Sequence, residues 1–246
     1  MTKYNYQKKY YTHFDRRLDI DKIRKWIEDP KKIIHHGFMP FIQFTKKHVK
    51  YSTEKGRITK PRNLLYCSHV DAYIYQLYTQ KLTPFYNNLV KSLGINRSVI
   101  AYRNIFKGKC NIHFAYDVFN QIRITDDCYI IVGDFTKFFD TLDHKYLKEQ
   151  CCRVLGESIL PEDFYQVYKS LTKFSYFEID DLIKLTGCKD FEELNKRDLI
   201  FQIEQYRELK YKYLKRNRNN YGIPQGGLCT MVHKPPNEQC LLMLSE

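Results

Sequence analysis

The sequence contains no Cys-x-x-Cys pair and no apolar run near the ~20 residues that span a bilayer. The polar start, Met1 to Lys9, has no apolar core of the signal-peptide kind. Eight cysteines are present, at 67, 110, 128, 151, 152, 188, 229 and 240, but none is spaced for chelation. The neighbours His35-His36 and Cys151-Cys152 are adjacent rather than spaced as ligands. These absences argue against a structural zinc site, a disulfide framework and a membrane span. They set the expectation of a cytoplasmic protein with reduced thiols. Internal repeats and Ser/Gly linkers are also missing, so segment boundaries are soft.

Negative charge is scarce. Asp and Glu number 28 against 41 Lys and Arg, a formal net charge of +13, which favours an anionic partner such as nucleic acid. A generally lysine-rich composition would give the same sign. The 21 Tyr and 16 Phe add rings that can stack on unpaired bases, although most rings fill cores or surfaces. A length of 246 residues allows one large domain or two small ones.

Residues 1–18 read as an arm or an irregular first element. Asp19 or Asp21 can cap a helix over Lys22 to Glu28, and Pro30 ends that helix or starts another. Val49 to Tyr51 and Asn63 to Tyr66 flank the polar turn Ser52-Thr-Glu-Lys-Gly56, which predicts a β-hairpin carrying Lys55, Arg57, Lys60 and Arg62. Ser68 can cap a helix that runs from His69 to Leu82 and stops before Pro84. Val99 to Tyr102 reads as a short strand, Arg103 to Lys109 as a basic loop, and Ile112 to Ile122 as a helix. A further helix is expected from His144 to Leu155. Residues 157–215 read mostly as helices broken near Pro161 and Gly187. The basic run Lys210 to Arg218 then leads straight into Tyr221-Gly-Ile-Pro-Gln-Gly226.

The most informative stretch is Tyr129-Ile-Ile-Val-Gly-Asp-Phe-Thr-Lys-Phe-Phe-Asp-Thr-Leu-Asp-His144. An apolar run of strand length ends at Asp134, where a strand could fix a carboxylate beside an open loop. Taken alone, Asp134 reads better as a helix cap or a loop residue. In Gly222-Ile-Pro-Gln-Gly226 the glycines permit positive φ and close backbone approach, while Pro224 stiffens the turn.

The spacing Asp-x-x-x-Phe-Phe-Asp-x-x-x-His resembles the first catalytic motif of bacterial reverse transcriptases. About 80 residues later, Gly222 to Gly226 resembles their next one. The relatives in view are group II intron, retron and phage-defence (abortive-infection-like) enzymes. The long basic segment between the motifs inclines the reading to the retron or defence branch.

The resemblance implies an α+β chain: right-hand polymerase fingers and a partial palm, helix-rich with a small antiparallel sheet. Residues 1–44 would form an N-terminal helical extension, 45–128 a fingers-like region and 129–226 the partial palm. The palm would carry a helical insertion at about 157–218, and 227–246 would be an atypical tail. The implied activity is RNA-directed DNA synthesis, nucleotidyl transfer assisted by two divalent ions roughly 4 Å apart. Mg²⁺ (or Mn²⁺) would be held by Asp134 and the backbone carbonyl of Phe135. Phe139 would exclude a 2′-hydroxyl, or else pack in the core. Gln225 would meet the nucleotide sugar or template. Lys60 and Arg62 would hold the triphosphate, or else be solvated surface charge. Arg103, Lys107, Lys109, Lys215, Arg216 and Arg218 would line the nucleic-acid path. Asp140, Asp143 and His144 are assigned to hydrogen bonding and capping of the following helix. The implied partners are an RNA template, a DNA or RNA primer and dNTP, with a structured non-coding RNA or a partner subunit as further candidates.

One departure stands out. The family needs a later Tyr/Phe-x-Asp-Asp hairpin for its remaining metal ligands, and the sequence has none. Asp126-Asp127 and Asp180-Asp181 both precede Gly222, in the wrong order. After Gly226 the pattern dissolves, and Pro235-Pro236 breaks any helix there. The expectation is a truncated or frameshifted reading frame that is inactive alone. The alternative is a non-catalytic RNA-binding polymerase-like module, or a subunit of a phage-defence system.

Overall fold

Helix α3, His69–Ser92, organises the fold. In this computed structural model, residues 4–54, 56–100, 103, 108–125, 127–133, 135 and 137–226 are described, apart from the side chains of Lys50 and Ser52. Ser68 caps α3 as expected, its hydroxyl accepting from the Asp71 amide at 3.3 Å. The helix does not stop before Pro84 but continues to Ser92. Proline there removes one bond to the Gln80 carbonyl and leaves the rest of the helix to its packing. Val90, beyond the proline, is buried. Just before the proline, the hydroxyls of Thr79 and Thr83 bond back to the carbonyls of Tyr75 and Thr79 at 2.8 and 2.7 Å.

The residues before α3 form an irregular arm, 4–19, followed by α1 (Ile20–Ile27) and α2 (Pro30–Ile34). Pro30 starts α2, with the Asp29 carboxylate accepting from the Lys31 amide. Two amides one turn apart on α3 hold the arm as a sheet edge would. Gln76 and Gln80 each accept from and donate to the backbone of Gln7 and Asn5, at 2.6 to 3.1 Å.

The predicted hairpin is present and longer than the sequence suggested: β1 (Phe41–Ser52) pairs antiparallel with β2 (Gly56–Tyr66). Gly56 takes the left-handed conformation, φ +63°, that the tight turn requires. Strands β3 (Ser175–Glu178) and β4 (Lys215–Arg216) complete a four-stranded sheet in the order β2-β1-β3-β4. The sheet is mixed, not antiparallel, because β3 runs parallel to β1 over Phe41–Gln43. That strand arises inside the 157–218 segment, which the sequence reading had as helical apart from its breaks.

Alternation along the strands sends side chains to two cores. Phe41 and Leu65 join Ile27, Ile33, Ile74, Leu77, Tyr78 and Val167 beneath α1–α3 and α7 (Glu162–Thr172). Ile42, Tyr66 and Phe177 face the other way, onto Phe14, Leu182, Leu194 and Ile200. That second core is covered by α8 (Ile179–Thr186) and α9 (Phe191–Asn195). Helix α10 (Ile203–Tyr213) leads into β4.

The middle of the chain is different. Helix α4 (Asn111–Ile124) has no buried residue. Tyr129 to Gly133, read from sequence as a strand, pairs with nothing among the described residues. Its apolar side chains are solvent-facing, with Ile131 94% exposed. Residues 99 and 100 likewise form no strand, while 101 and 102 lie outside the described residues. Short α5 (Phe138–Thr141) and α6 (His144–Leu155) return the chain to the folded body. Among the described residues no helix is long and apolar enough to cross a membrane.

Candidate functional site

Two segments about 80 residues apart in sequence meet at the start of α6. Lys137 takes φ 54°, an uncommon left-handed value for a non-glycine residue, and so turns the chain into α5. Leu142 and Asp143 then return to extended backbone, and the Asp143 carboxylate caps α6 by accepting from the Tyr146 amide at 2.8 Å. Residues 220–223 lie antiparallel against this turn, with Asp143 and Tyr221 as bridge partners. The Gly222 amide donates to the Leu142 carbonyl, Ile223 to Phe139 and His144 to Asn220, at 2.9, 2.8 and 2.9 Å.

His144 seals the junction. Its ring is buried, and Nε2 lies 2.7 Å from the Gly222 carbonyl. A carbonyl only accepts, so Nε2 carries the hydrogen. Tyr168 on α7 donates its hydroxyl to the His144 carbonyl at 2.7 Å, tying the junction to the first core. Asn217 spans the other side, donating its amide to the carbonyls of Thr172 and Tyr221 at 3.1 Å.

Both glycines of the second motif have a physical reason. Gly222 has φ +85°, and a Cβ there would sit 3.1 Å from the Asp140 carbonyl oxygen. Gly226 lies so close to the Leu65 carbonyl that any Cβ would overlap it. Beside it, the Leu65 amide donates to the Gln225 carbonyl at 2.7 Å. The second motif is thereby fastened to the first motif on one side and to β2 on the other.

Of the residues singled out from sequence, Phe139, Gln225 and Phe135 belong to this neighbourhood. Phe139 is half-buried with its ring edge-on to Phe138 at 5.5 Å, Gln225 is half-buried, and Phe135 is exposed. Asp134 and Lys107 lie outside the described residues. Lys60 and Arg62 are on β2, five and three residues before Leu65. Arg216 and Arg218 are exposed beside the junction.

Three basic residues are already engaged. Lys109 pairs with Asp117 at 2.8 Å, and Lys215 with Glu178 at 2.7 Å. The Glu178 hydrogen bond holds the Lys215 ammonium above its ordinary value. Arg103 is buried, and its guanidinium donates to Asn87 Oδ1, Asn96 Oδ1 and the carbonyls of Asn96 and Val99. A fork of donors used in this way ties the loop after α3 to that helix.

The sequence reading missed Asn217 and Tyr168. Asn217 interrupts a basic run, Lys215-Arg-Asn-Arg218, and that interruption was its one local signal. Among the described residues no group of three or more His, Cys, Asp or Glu is placed to hold a metal ion. Asp143, the nearest carboxylate in the motif to His144, is occupied as a cap. No family model matches this chain, and no curated protein matches it.

Proposed function

We propose that this chain is an RNA-directed DNA polymerase domain of the reverse-transcriptase kind, binding an RNA template with a DNA or RNA primer. The observation that carries the reading is the junction at His144. Two motifs resembling successive catalytic motifs of one enzyme family are joined there by four hydrogen bonds. An adventitious sequence match gives no reason for the two to meet. The net charge of +13 and the exposed Arg216 and Arg218 supply the electrostatics such a ligand needs. On this reading Phe139 and Gln225 face dNTP, and Asp134 with the Phe135 carbonyl takes Mg²⁺ or Mn²⁺. One carboxylate is too few for two ions, and the sequence has no Tyr-x-Asp-Asp pair. The chain alone is therefore proposed to bind primer–template without extending it.

A second reading, a non-catalytic RNA-binding module acting as a subunit in phage defence, is favoured by that same shortage of carboxylates. Both readings require RNA binding. Fluorescence anisotropy of a labelled RNA–DNA primer–template across a salt series tests them together. The expected result is affinity falling by about 0.7 to 0.9 log units per log unit of salt for each phosphate contact. Negligible binding at low salt contradicts both. A complementary dNTP that slows primer–template dissociation, with the effect lost in Gln225→Ala, selects the polymerase reading. Its having no effect selects the second. Robust primer extension abolished by Asp134→Ala would overturn the proposed inactivity.

A further inference from the structure

The β1–β2 hairpin carries a feature that the single-triphosphate role for Lys60 and Arg62 does not explain. Strand β3 pairs with β1 only over Phe41–Gln43, so from Thr45 and Asn63 outward the hairpin is a two-stranded ribbon. The register places Lys46 directly opposite Arg62, and His48 directly opposite Lys60. Side chains alternate along a strand, so all four project from one face. Like charges directly opposite each other destabilise a strand pair. Among the described residues no acidic side chain forms an ion pair with Lys46, Lys60 or Arg62. Folding alone gives no reason to keep this arrangement, whereas a bound polyanion does.

Distance separates this face from the junction. Leu65, which anchors Gln225, is five residues from Lys60, roughly 17 Å along an extended strand. The Lys60 and His48 rung therefore lies further out along the ribbon than the Gln225 anchor. Along the ribbon the two rungs are about 7 Å apart. That repeat is on the scale of successive phosphates in an extended single strand. The opposite face has a different make-up: Lys47 lies across from Pro61, Val49 from Thr59, and Tyr51 from Arg57. The Tyr51 ring, 82% exposed, sits near the tip and can stack on an unpaired base.

We infer that the hairpin face formed by Lys46, Lys60 and Arg62, with His48, is a binding surface for the phosphate backbone of single-stranded nucleic acid. This places strand contacts on a projecting arm away from the His144 junction. It rests on the nucleic-acid part of the proposed function but not on polymerase chemistry. An anionic membrane could also meet a basic ribbon, but rungs spaced on the scale of successive phosphates fit a strand better.

The test compares two variants of the full chain: Lys46→Thr/Lys60→Thr/Arg62→Thr on the proposed face, and Lys47→Thr/Arg57→Thr on the other. Binding of a labelled single-stranded RNA is read by anisotropy across a salt series, and thermal stability is measured in parallel. The first variant is expected to lower the log–log salt slope by about 2 and the second by less than 1. Removing the like-charge pair Lys46–Arg62 should also leave Tm unchanged or raised. Wild-type binding with no change in the first variant overturns the inference and leaves the proposed function standing. Absence of wild-type binding removes both. Slope losses that follow only the number of charges removed, or a fall in Tm alongside the loss of binding, overturn the face assignment. Binding to phosphatidylserine vesicles but not to RNA assigns the face to a membrane instead.

Discussion

Helix α3 and helix α4 are both well-formed helices, yet they relate to the rest of the molecule in opposite ways. The N-terminal half of α3 is enclosed by the arm, α1, α7 and the sheet, and Ala72, Ile74, Leu77 and Tyr78 are fully buried. Helix α4 buries nothing, and the apolar run Tyr129 to Val132 after it is exposed. Apolar content alone therefore does not decide burial. The first region buries its apolar side chains, whereas α4 has no buried residue and Tyr129 to Val132 are exposed. The His144 junction follows the second region in the chain and is tied to the first core through Tyr168.

The largest expected effect comes from α3. Leu77→Ala should cost about 2 to 5 kcal/mol in urea unfolding, through lost burial and a residual cavity. Ile112→Ala on α4, at a side chain 76% exposed, should change stability by no more than about 0.5 kcal/mol. Equal effects at the two sites would erase the contrast.

Acid should weaken the first region next. Burial pushes the His13 imidazole down to about 3 from an ordinary 6.5, with Asp15 at 3.9 Å and His69 nearby. The depressed value means that the unfolded chain takes up the proton first. His13 thus stabilises the fold fully above pH 6.5, and that contribution is lost as pH falls toward 3. The loss should reach about 1.4 kcal/mol per pH unit below pH 6. Urea midpoints at pH 7.5 and 5.5 should differ in the wild type, and the difference should shrink in His13→Leu.

A smaller effect is expected at the α3 cap. Ser68→Ala should cost about 1 kcal/mol. Because α3 anchors the arm through Gln76 and Gln80, hydrogen exchange should quicken in residues 4–19 as well as in the first turn. Quickening confined to the first turn would show that the arm holds independently.

How far these features could be read from sequence depended on whether their causes were local. The hairpin, the Ser68 and Asp143 caps and the helix from His144 to Leu155 all carry their signals within a few residues. Strand β3 does not. It is four residues long, flanked by helices, and pairs in parallel with a strand more than a hundred residues away, so no turn announces it. The passage of α3 through Pro84 was hidden for the same reason, since packing outweighs one missing hydrogen bond. Tyr129 to Val132 fails in the other direction: its composition suits a strand, but pairing requires a partner. The partners of Arg103, Asn87 and Asn96, carry no local signal that would pair them with it. At the site, the glycines were legible as conformational requirements. Only the fold shows that Gly222 abuts Asp140 and that Gly226 abuts Leu65.

Amide hydrogen exchange across the two motif segments tests the central claim most directly. If residues 139–144 and 220–225 form one junction, the amides of His144, Gly222 and Ile223 exchange slowly in the wild type. His144→Ala should release all of them together, without releasing the buried part of α3. Slow exchange in one segment beside free-peptide rates in the other, or protection of Gly222 and Ile223 that survives His144→Ala unchanged, would contradict it.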